Sequence, residues 1–338
     1  MRILLTSVGR RSYLVDWFAE VATVHAANSE PTYALTRAQY SAITPLIADP
    51  GYIHFLVDYC RQHRIDALMS LFDIDLPVLA AARSQFEEVG TRLILASPQS
   101  VSVCNDKWQT HLLAIERGLL VPETFAALHD ALYAIAEGRL RYPVIVKPRW
   151  GMGSQGIYRA DNQRELCVLY RKCQTEVFAG SLRFESQATP NAAVLVQQWL
   201  DGQEHGIDVV NDLSGNLVAV FAKRKVRMRS GETDVGLTVD PAPFRLLAET
   251  MSQALRHEGV LSLDCFVCDD GIYLTEANCR ISGHYPIAHL AGARLPEQIA
   301  RWLEGRGTDT GMLQCKTGVT VIKDLVPQRL FALTGGGA

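Results

Sequence analysis

Two short stretches constrain this chain more than any other part of it. In the first, an apolar run from Tyr142 to Val146 ends at Lys147 and passes through Pro148, Arg149 and Trp150 into a loop holding Gly151, Gly153, Ser154 and Gly156. In the second, Glu276, Asn278 and Arg280 stand on alternate residues. Successive side chains of an extended strand point to opposite faces, so these three project to one side. A hard cation takes oxygen ligands, and a developing phosphoryl charge favours a guanidinium. Carboxylate, amide and guanidinium on one strand face, with a lysine and a glycine loop elsewhere, describe a site for Mg²⁺ and a nucleoside triphosphate.

The loop alone is less specific. Gly151, Gly153 and Gly156 spell G-x-G-x-x-G, which in a dinucleotide-binding unit must follow a strand and open a helix. Here Ile157, Tyr158 and Arg159 read as a second strand, and no helical pattern begins before about Asn162. A hairpin with a flexible glycine tip over phosphates fits better than a dinucleotide-binding turn, and the spacing is not that of a Walker A loop. An ordinary glycine-rich hairpin is the bland alternative.

Composition narrows the class. A chain of 338 residues exceeds one compact core and suits two or three packed subdomains. The formal net charge of -3 gives no basic footprint, which argues against nucleic acid as a partner. No apolar run approaches the ~18 residues of a membrane span, so no membrane role is expected. Met1 to Ser7 runs directly into Gly9 and reads as a first strand and not a signal peptide. Eight cysteines are scattered without framework spacing, and free thiols in a reducing cytoplasm are the default. Cys265 and Cys268 form a C-x-x-C inside an apolar strand with no partner pair, which reads as core packing.

The organisation is three-part. Residues 1–104 alternate strands (Ile3–Ser7, Thr23–Asn28, Ala67–Leu71, Leu93–Ala96) with helices (from Tyr13, Tyr52–His63, Leu76–Phe86), the pattern of a parallel, helix-flanked α/β unit. Residues 105–198 form a small lid subdomain with short strands and a helix around Gln163–Cys173. Residues 199–334 hold strands Leu217–Lys223, Leu261–Val267 and Ile272–Thr275 and a helix Phe244–His257. Residues 335–338 read as a frayed tail.

With these motifs in order, the chain resembles the ATP-grasp superfamily, in the branch related to the carbamoyl-phosphate synthase large subunit and to stand-alone carboxylate–amine ligases. The resemblance rests on Asn105-Asp106-Lys107, on Val144 to Pro148 with the glycine loop, on Val196 to Glu204, on Ser262 to Phe266 and on Thr275 to Arg280. It covers nearly the whole chain. It implies an α/β fold, α+β in its C-terminal part: a Rossmann-like domain ahead of the ATP-grasp unit, a small lid and a larger antiparallel-sheet lobe.

The resemblance also implies roles. Lys147 and Lys107 would hold nucleotide phosphates, with a solvated first-turn lysine beside a capping Asp106 as the alternative for Lys107. Gly151, Gly153, Ser154 and Gly156 would cover those phosphates. Gln198, standing where relatives often carry Glu, and the backbone of Trp199 and Leu200 would meet the adenine edge, and Glu204 the ribose hydroxyls. Asp264, Glu276 and Asn278 would bind two Mg²⁺ ions, with Mn²⁺ able to substitute, and Arg280 would stabilise the transferring phosphoryl group. Lys225 and Arg227, in the basic run from Lys223 to Arg229, would border phosphates and substrate, or form a charged strand edge that discourages aggregation. Relatives carry Pro where this chain has Cys279 and Gly where it has His284. The first change points to packing. The second sets an imidazole near the acyl acceptor or in a structural role.

Substrate residues come from the first domain. Arg10 and Arg11 stand at the first strand-to-helix turn and could receive an anion. Asp73 and Asp75 close a later strand on the same carboxyl edge and could hold an ammonium group or cap the next helix. The function expected is an ATP-dependent ligase that activates a small carboxylate, such as an amino acid, as an acyl-phosphate and joins it to an amine. Bicarbonate or carbamate phosphorylation and non-catalytic ATP-binding regulation are the alternatives, and a homodimer is a compatible assembly.

Overall fold

Residues Ile3 to Thr6 are buried without alternation, so the first strand lies in the middle of a sheet covered on both faces. The computed structural model, which describes residues 1–180 and 182–329, builds that sheet from β1 (Arg2–Thr6), β2 (Thr23–Asn28), β3 (Tyr40–Ile43), β4 (Ala67–Ser70) and β5 (Arg92–Leu93). All pairs are parallel, in the order β3-β2-β1-β4-β5. The order reverses between β1 and β4, and the loops after these two strands meet at the carboxyl edge where open α/β sheets bind ligands. Three details differ from the sequence reading: the strand expected over Leu93–Ala96 is Arg92–Leu93, and two more concern β3 and a helix. The exposed edge strand β3 has no apolar pattern to betray it, and the helix expected over Leu76–Phe86 breaks at Ala82 into Asp75–Ala81 and Arg83–Glu88.

The second sheet contains β6 (Thr124–Phe125), β7 (Val144–Pro148), β8 (Tyr158–Ala160) and β9 (Val194–Gln198), antiparallel in the order β6-β9-β7-β8. Strands β7 and β8 form a hairpin, so the glycine loop is a hairpin tip and opens no helix. The helix Gln163–Ala179 starts where Asn162 accepts a hydrogen bond from the Glu165 amide, and it runs well past Cys173. These elements pack around their own core of Val144, Val146, Leu166, Cys173, Val194 and Val196.

The third sheet is antiparallel: β10 (Gln203–Asn211), β11 (Leu217–Arg229), β12 (Glu232–Val239), β13 (Gly259–Cys268), β14 (Gly271–Asn278) and β15 (Thr320–Ile322), ordered β14-β13-β10-β11-β12-β15. It shares one hydrophobic core with the first domain, where Leu4, Leu68 and Leu76 join Leu261, Leu263 and Ala277. The helices Pro98–Asn105 and Lys107–Glu116 lie against β14, so Lys107 packs in space against this sheet although it falls within the 105–198 segment expected to form the lid. All eight cysteines are free. Among the described residues no helix is long and apolar enough to cross a membrane. The tail expected at 335–338 lies outside the described residues.

Candidate active site

The register of the third sheet decides which side chains converge. Glu276 pairs with Asp264, Asp264 with Gly206, and Gly206 with Lys223. One row along, Asn278 pairs with Ser262 and Ser262 with Asp208. Partners in a ladder point to the same face. That face therefore carries Asp264, Glu276 and Asn278 beside Asp208, Lys223, Lys225 and Glu204.

Lys225 is the hub of this face. Its Nζ lies 2.7 Å from Glu204 Oε1 and 2.8 Å from Asp264 Oδ1. Burial pulls this ammonium down, but the two carboxylates outweigh it and hold it above the ordinary lysine range. Burial likewise pushes Asp264 up, yet Lys225 and His284 hold it well below the usual carboxylate range. Glu204, read as a ribose contact, is engaged with Lys225. Arg227 does not join the cluster. Bulges in the β11–β12 pairing on both sides of Arg227 break the alternation, and its exposed guanidinium binds the buried Asp234 at 2.7 and 2.8 Å. In this structure Arg227, expected to border phosphates and substrate or to form a charged strand edge, is engaged with Asp234.

Opposite the sheet face, the lid supplies Lys147 and the glycine loop, and the helix Lys107–Glu116 adds Lys107. Lys107, Lys147, Trp150, Gly151, Ser154 and Glu276 line one cleft. Lys107 Nζ donates to the Gly151 carbonyl at 2.5 Å and lies 3.5 Å from Glu276. Asp106 does cap the helix, accepting from the Trp108 and Gln109 amides, while Lys107 is buried in the cleft and not solvated. Asp106 also grips Arg149 at 2.6 and 2.7 Å, which anchors the base of the glycine loop. Lys147 is 5% exposed and donates to Gln197 Oε1 at 2.9 Å. Burial, helped by Lys107, pushes its ammonium down to about 8, against the pull of Glu276 and Asp264. Gly151, Gly153, Ser154 and Gly156 all have positive φ, between 55° and 128°, which explains the glycines. The tip meets the β11–β12 hairpin so closely that a Cβ on Gly231 would stand 2.0 Å from the Gly153 carbonyl oxygen.

The hinge between lid and third sheet is Gln198, Trp199 and Leu200. The Gln198 side chain accepts from the Glu123 amide at 3.1 Å, and Arg159 stacks on Trp199 at 4.7 Å. Gln197, the neighbour that faces Lys147, was missed; a polar residue ending the buried run Val194–Val196 is the signal that could have found it.

Arg280 leaves β14 and crosses to the first domain, where Asp73 Oδ2 accepts from its Nε at 2.8 Å and its Nη2 at 2.6 Å. Burial opposes this guanidinium and Asp73 outweighs it, so it stays charged. Arg11 lies near Arg280, and burial together with that neighbour lowers its proton affinity, while Arg10 is exposed to solvent. Asp75 is fully buried and accepts from Thr6, Ser7, Ser70 and Tyr52 hydroxyls at 2.6 to 3.1 Å. These four donors saturate it as a structural carboxylate, which corrects its reading as an ammonium ligand. His284 is also built in. Its ring lies between Ser262 at 3.1 Å and Ser282 at 2.8 Å, over Gly206, where any Cβ would collide with it at 2.6 Å. Burial, with Lys223 nearby, pushes it down to about 4, so it is neutral at pH 7. Ser282 donates in turn to Asp208 at 2.8 Å, and Asp208 pairs with Lys223, both fully buried. Cys279 packs on Cys104 with 3.3 Å between sulfurs, joining β14 to the helix Pro98–Asn105.

Whether these residues suit a divalent cation can be tested on the donor set. Among the described residues no group of three or more His, Cys, Asp or Glu side chains stands ready to hold a metal by itself. Two carboxylates and an amide do stand together, and the buried Asp264 Oδ1 accepts no hydrogen bond of good geometry. One or two carboxylates completed by phosphate oxygens is how Mg²⁺ is held in nucleotide sites, so the set fits that ion with a nucleotide and not a standing cage.

Known proteins share this fold. Residues 3–94 match the family model described as PylC-like, N-terminal domain, and residues 140–257 match the one described as ATP-grasp domain. The carbamoyl phosphate synthase large chain of Rubrobacter xylanophilus is 29% identical over 242 residues, 68% of this chain and 21% of that protein. The chain thus spans about a fifth of that relative. An L-amino acid ligase from Bacillus licheniformis superposes with a TM-score of 0.67 at 18% identity, covering 94% of this chain and 78% of that one. The biotin carboxylase domain dimer of Hydrogenobacter thermophilus 2-oxoglutarate carboxylase, solved with MgADP, ADP and bicarbonate, gives 0.70 at 16% identity over 90% of this chain and 70% of that one. At these identities the structural likeness concerns the fold.

Proposed function

We propose that this chain, a member of the ATP-grasp family, is an ADP-forming ligase that activates a small carboxylate as an acyl-phosphate and transfers the acyl group to an amine. The observation that carries the reading is the cleft in which Lys107, Lys147 and the glycine loop face Glu276, with Asp264 paired to Glu276 and Asn278 one row along the same sheet face. Lys107 and Lys147 bind the phosphates, and the positive-φ loop lets backbone approach them. Asp264, Glu276 and Asn278 would hold Mg²⁺, or Mn²⁺, which supplies charge neutralisation to the phosphoryl group. Arg280, kept charged and oriented by Asp73, faces the carboxylate side and stabilises the transferred phosphoryl. Gln198, Trp199 and Leu200 border the adenine at the hinge. Glu204 reaches the ribose if Lys225 turns fully to Asp264 and phosphate.

An amino acid is the carboxylate we favour, since Arg11 and Arg280 stand near each other and can receive its carboxylate group. The protein acts in the cytoplasm on small molecules, and a homodimer fits the reading. The test is Mg·ATP-dependent ADP release across a panel of amino acids and simple amines, with product masses measured. A mass equal to the two substrates less water is expected. ADP release that requires bicarbonate and no amino acid would replace the reading with carbamoyl-phosphate-type chemistry. Thermal protection by Mg·ATP without turnover on any substrate would leave a nucleotide-binding regulator, and protection by NAD(H) alone would remove the nucleotide assignment altogether.

A further inference from the structure

A second cleft opens beside the first, between the lid and the carboxyl edge of the parallel sheet. Asp73, Asn105 and Glu185 line it together with Asn278 and the start of the glycine loop. Asp73 Oδ1, Asn105 Oδ1 and Glu185 Oε2 are buried and have no hydrogen-bond partner. Buried acceptors are normally satisfied, so three orphans on the wall of one cleft point to a donor that belongs there. Their orientations are fixed from behind. Arg280 occupies only Oδ2 of Asp73, itself 6% exposed, and Asn105 Nδ2 donates to the Asp73 carbonyl at 2.8 Å, which turns the amide oxygen away from that contact.

We propose that this cleft is the acceptor subsite of the ligase and binds the amine substrate as its primary ammonium ion. The assignment rests on the ligase reading above. An ammonium carries three donors and no acceptor, which matches three orphan oxygens. A hard dication is disfavoured, because Arg280 already offsets the charge of Asp73. Trp150, Gly151 and Met152 line both clefts, and Arg280 binds Asp73 on the wall of the second, so an amine held here stands beside the phosphate cleft. Asp73, held by Arg280, keeps the nitrogen in place. Glu185 takes its proton, the freed lone pair attacks the acyl carbon, and the bond from carbon to phosphate oxygen breaks with phosphate leaving on its electron pair. Glu185 belongs to the short lid helix Arg183–Ser186, so closing the lid completes the subsite.

The test has an arm that needs no turnover. Wild type, Glu185→Gln and Asn105→Ala are melted with Mg·ADP in rising n-butylammonium chloride, against sodium chloride of equal ionic strength. The wild type should show saturable protection, with the apparent dissociation constant about tenfold weaker or more in Glu185→Gln, the usual scale for a charge-assisted hydrogen bond. Should Glu185→Gln fail to fold, Asn105→Ala carries the comparison. Absence of protection in the wild type, or equal protection in wild type and the folded variants, overturns the assignment. So does protection by calcium chloride in place of the ammonium. With a carboxylate and amine pair that gives product, Glu185→Gln should raise the KM for the amine about tenfold, leave those for ATP and the carboxylate unchanged, and spare capture of the acyl-phosphate by hydroxylamine, which is neutral at pH 7. An unchanged amine KM refutes the subsite. Failure of every pair in the wild type refutes the ligase reading, while the butylammonium titration still decides whether the cleft binds ammonium.

Discussion

Nucleotide affinity should fall with pH through the titration of Lys147. Its ammonium is buried in the cleft and pushed down to about 8, against an ordinary value of 10.5. Phosphate oxygens bind the charged form, so affinity is full below pH 8 and lost as pH rises through it. If only the protonated lysine binds, the apparent Kd scales as one plus ten to the power of pH minus 8. That factor is about 1.1 at pH 7, about 2 at pH 8 and about 11 at pH 9, a tenfold loss overall and ~1.4 kcal/mol. Calorimetric titration with Mg·ADP at the three pH values and fixed ionic strength measures it directly. Lys147→Met keeps the length of the side chain and cannot titrate, so its affinity should be weaker at pH 7 and nearly flat to pH 9. A wild-type Kd that moves less than about twofold over this range, or a variant with the wild-type slope, would refute the argument that this lysine carries the phosphate charge.

Three further outcomes are expected. Glu276→Gln and Arg280→Lys should fold, by circular dichroism, and lose turnover by on the order of 100-fold, while Asn278→Asp, which keeps an oxygen, retains measurable ADP release; near-parent rates in Glu276→Gln would sink the metal assignment. Proteolysis near Trp150 should slow when Mg²⁺ and a non-hydrolysable ATP analogue are bound, because the glycine tip then closes on phosphate, and equal cleavage with and without ligand speaks against a closing lid. Asp208→Asn should cost about 3–5 kcal/mol in urea unfolding by stranding the buried Lys223 ammonium, a prediction that a loss below about 1 kcal/mol would defeat.

The parts of the site that sequence made legible are those whose chemistry is local. Glu276, Asn278 and Arg280 follow from the two-residue period of one strand, and Lys147 with its glycines from one hairpin. What stayed hidden depends on register between distant strands. Nothing near Lys223 announces that it lies diagonal to Asp208 across β10 and β11, or that Gly206 is bare because the His284 ring lies on it. The pairing of Arg227 with Asp234 was hidden for a related reason: a bulge cannot be read from an alternating run of basic residues. Asp75 looked like its neighbour Asp73, and only the fold separates a carboxylate ringed by four hydroxyls from one that meets Arg280. Glu185 sits on a four-residue helix with no periodicity to mark it.

The lid has a hydrophobic core of its own, whereas the parallel sheet and the six-stranded sheet are fused through a common one. Opening of the lid therefore exposes few of the contacts that hold the rest of the chain together. In hydrogen exchange the amides of β7 and β9 should trade protons through sub-global openings, at lower free energy than those of β1 and β10, which exchange only on full unfolding. The seam between these two tiers of protection runs through the cleft, with Lys147 on the yielding side and Asp264, Glu276 and Asn278 on the rigid one. Ligands can thus enter and leave by local breathing, while the carboxylates that must keep their geometry stay anchored in the part that does not breathe.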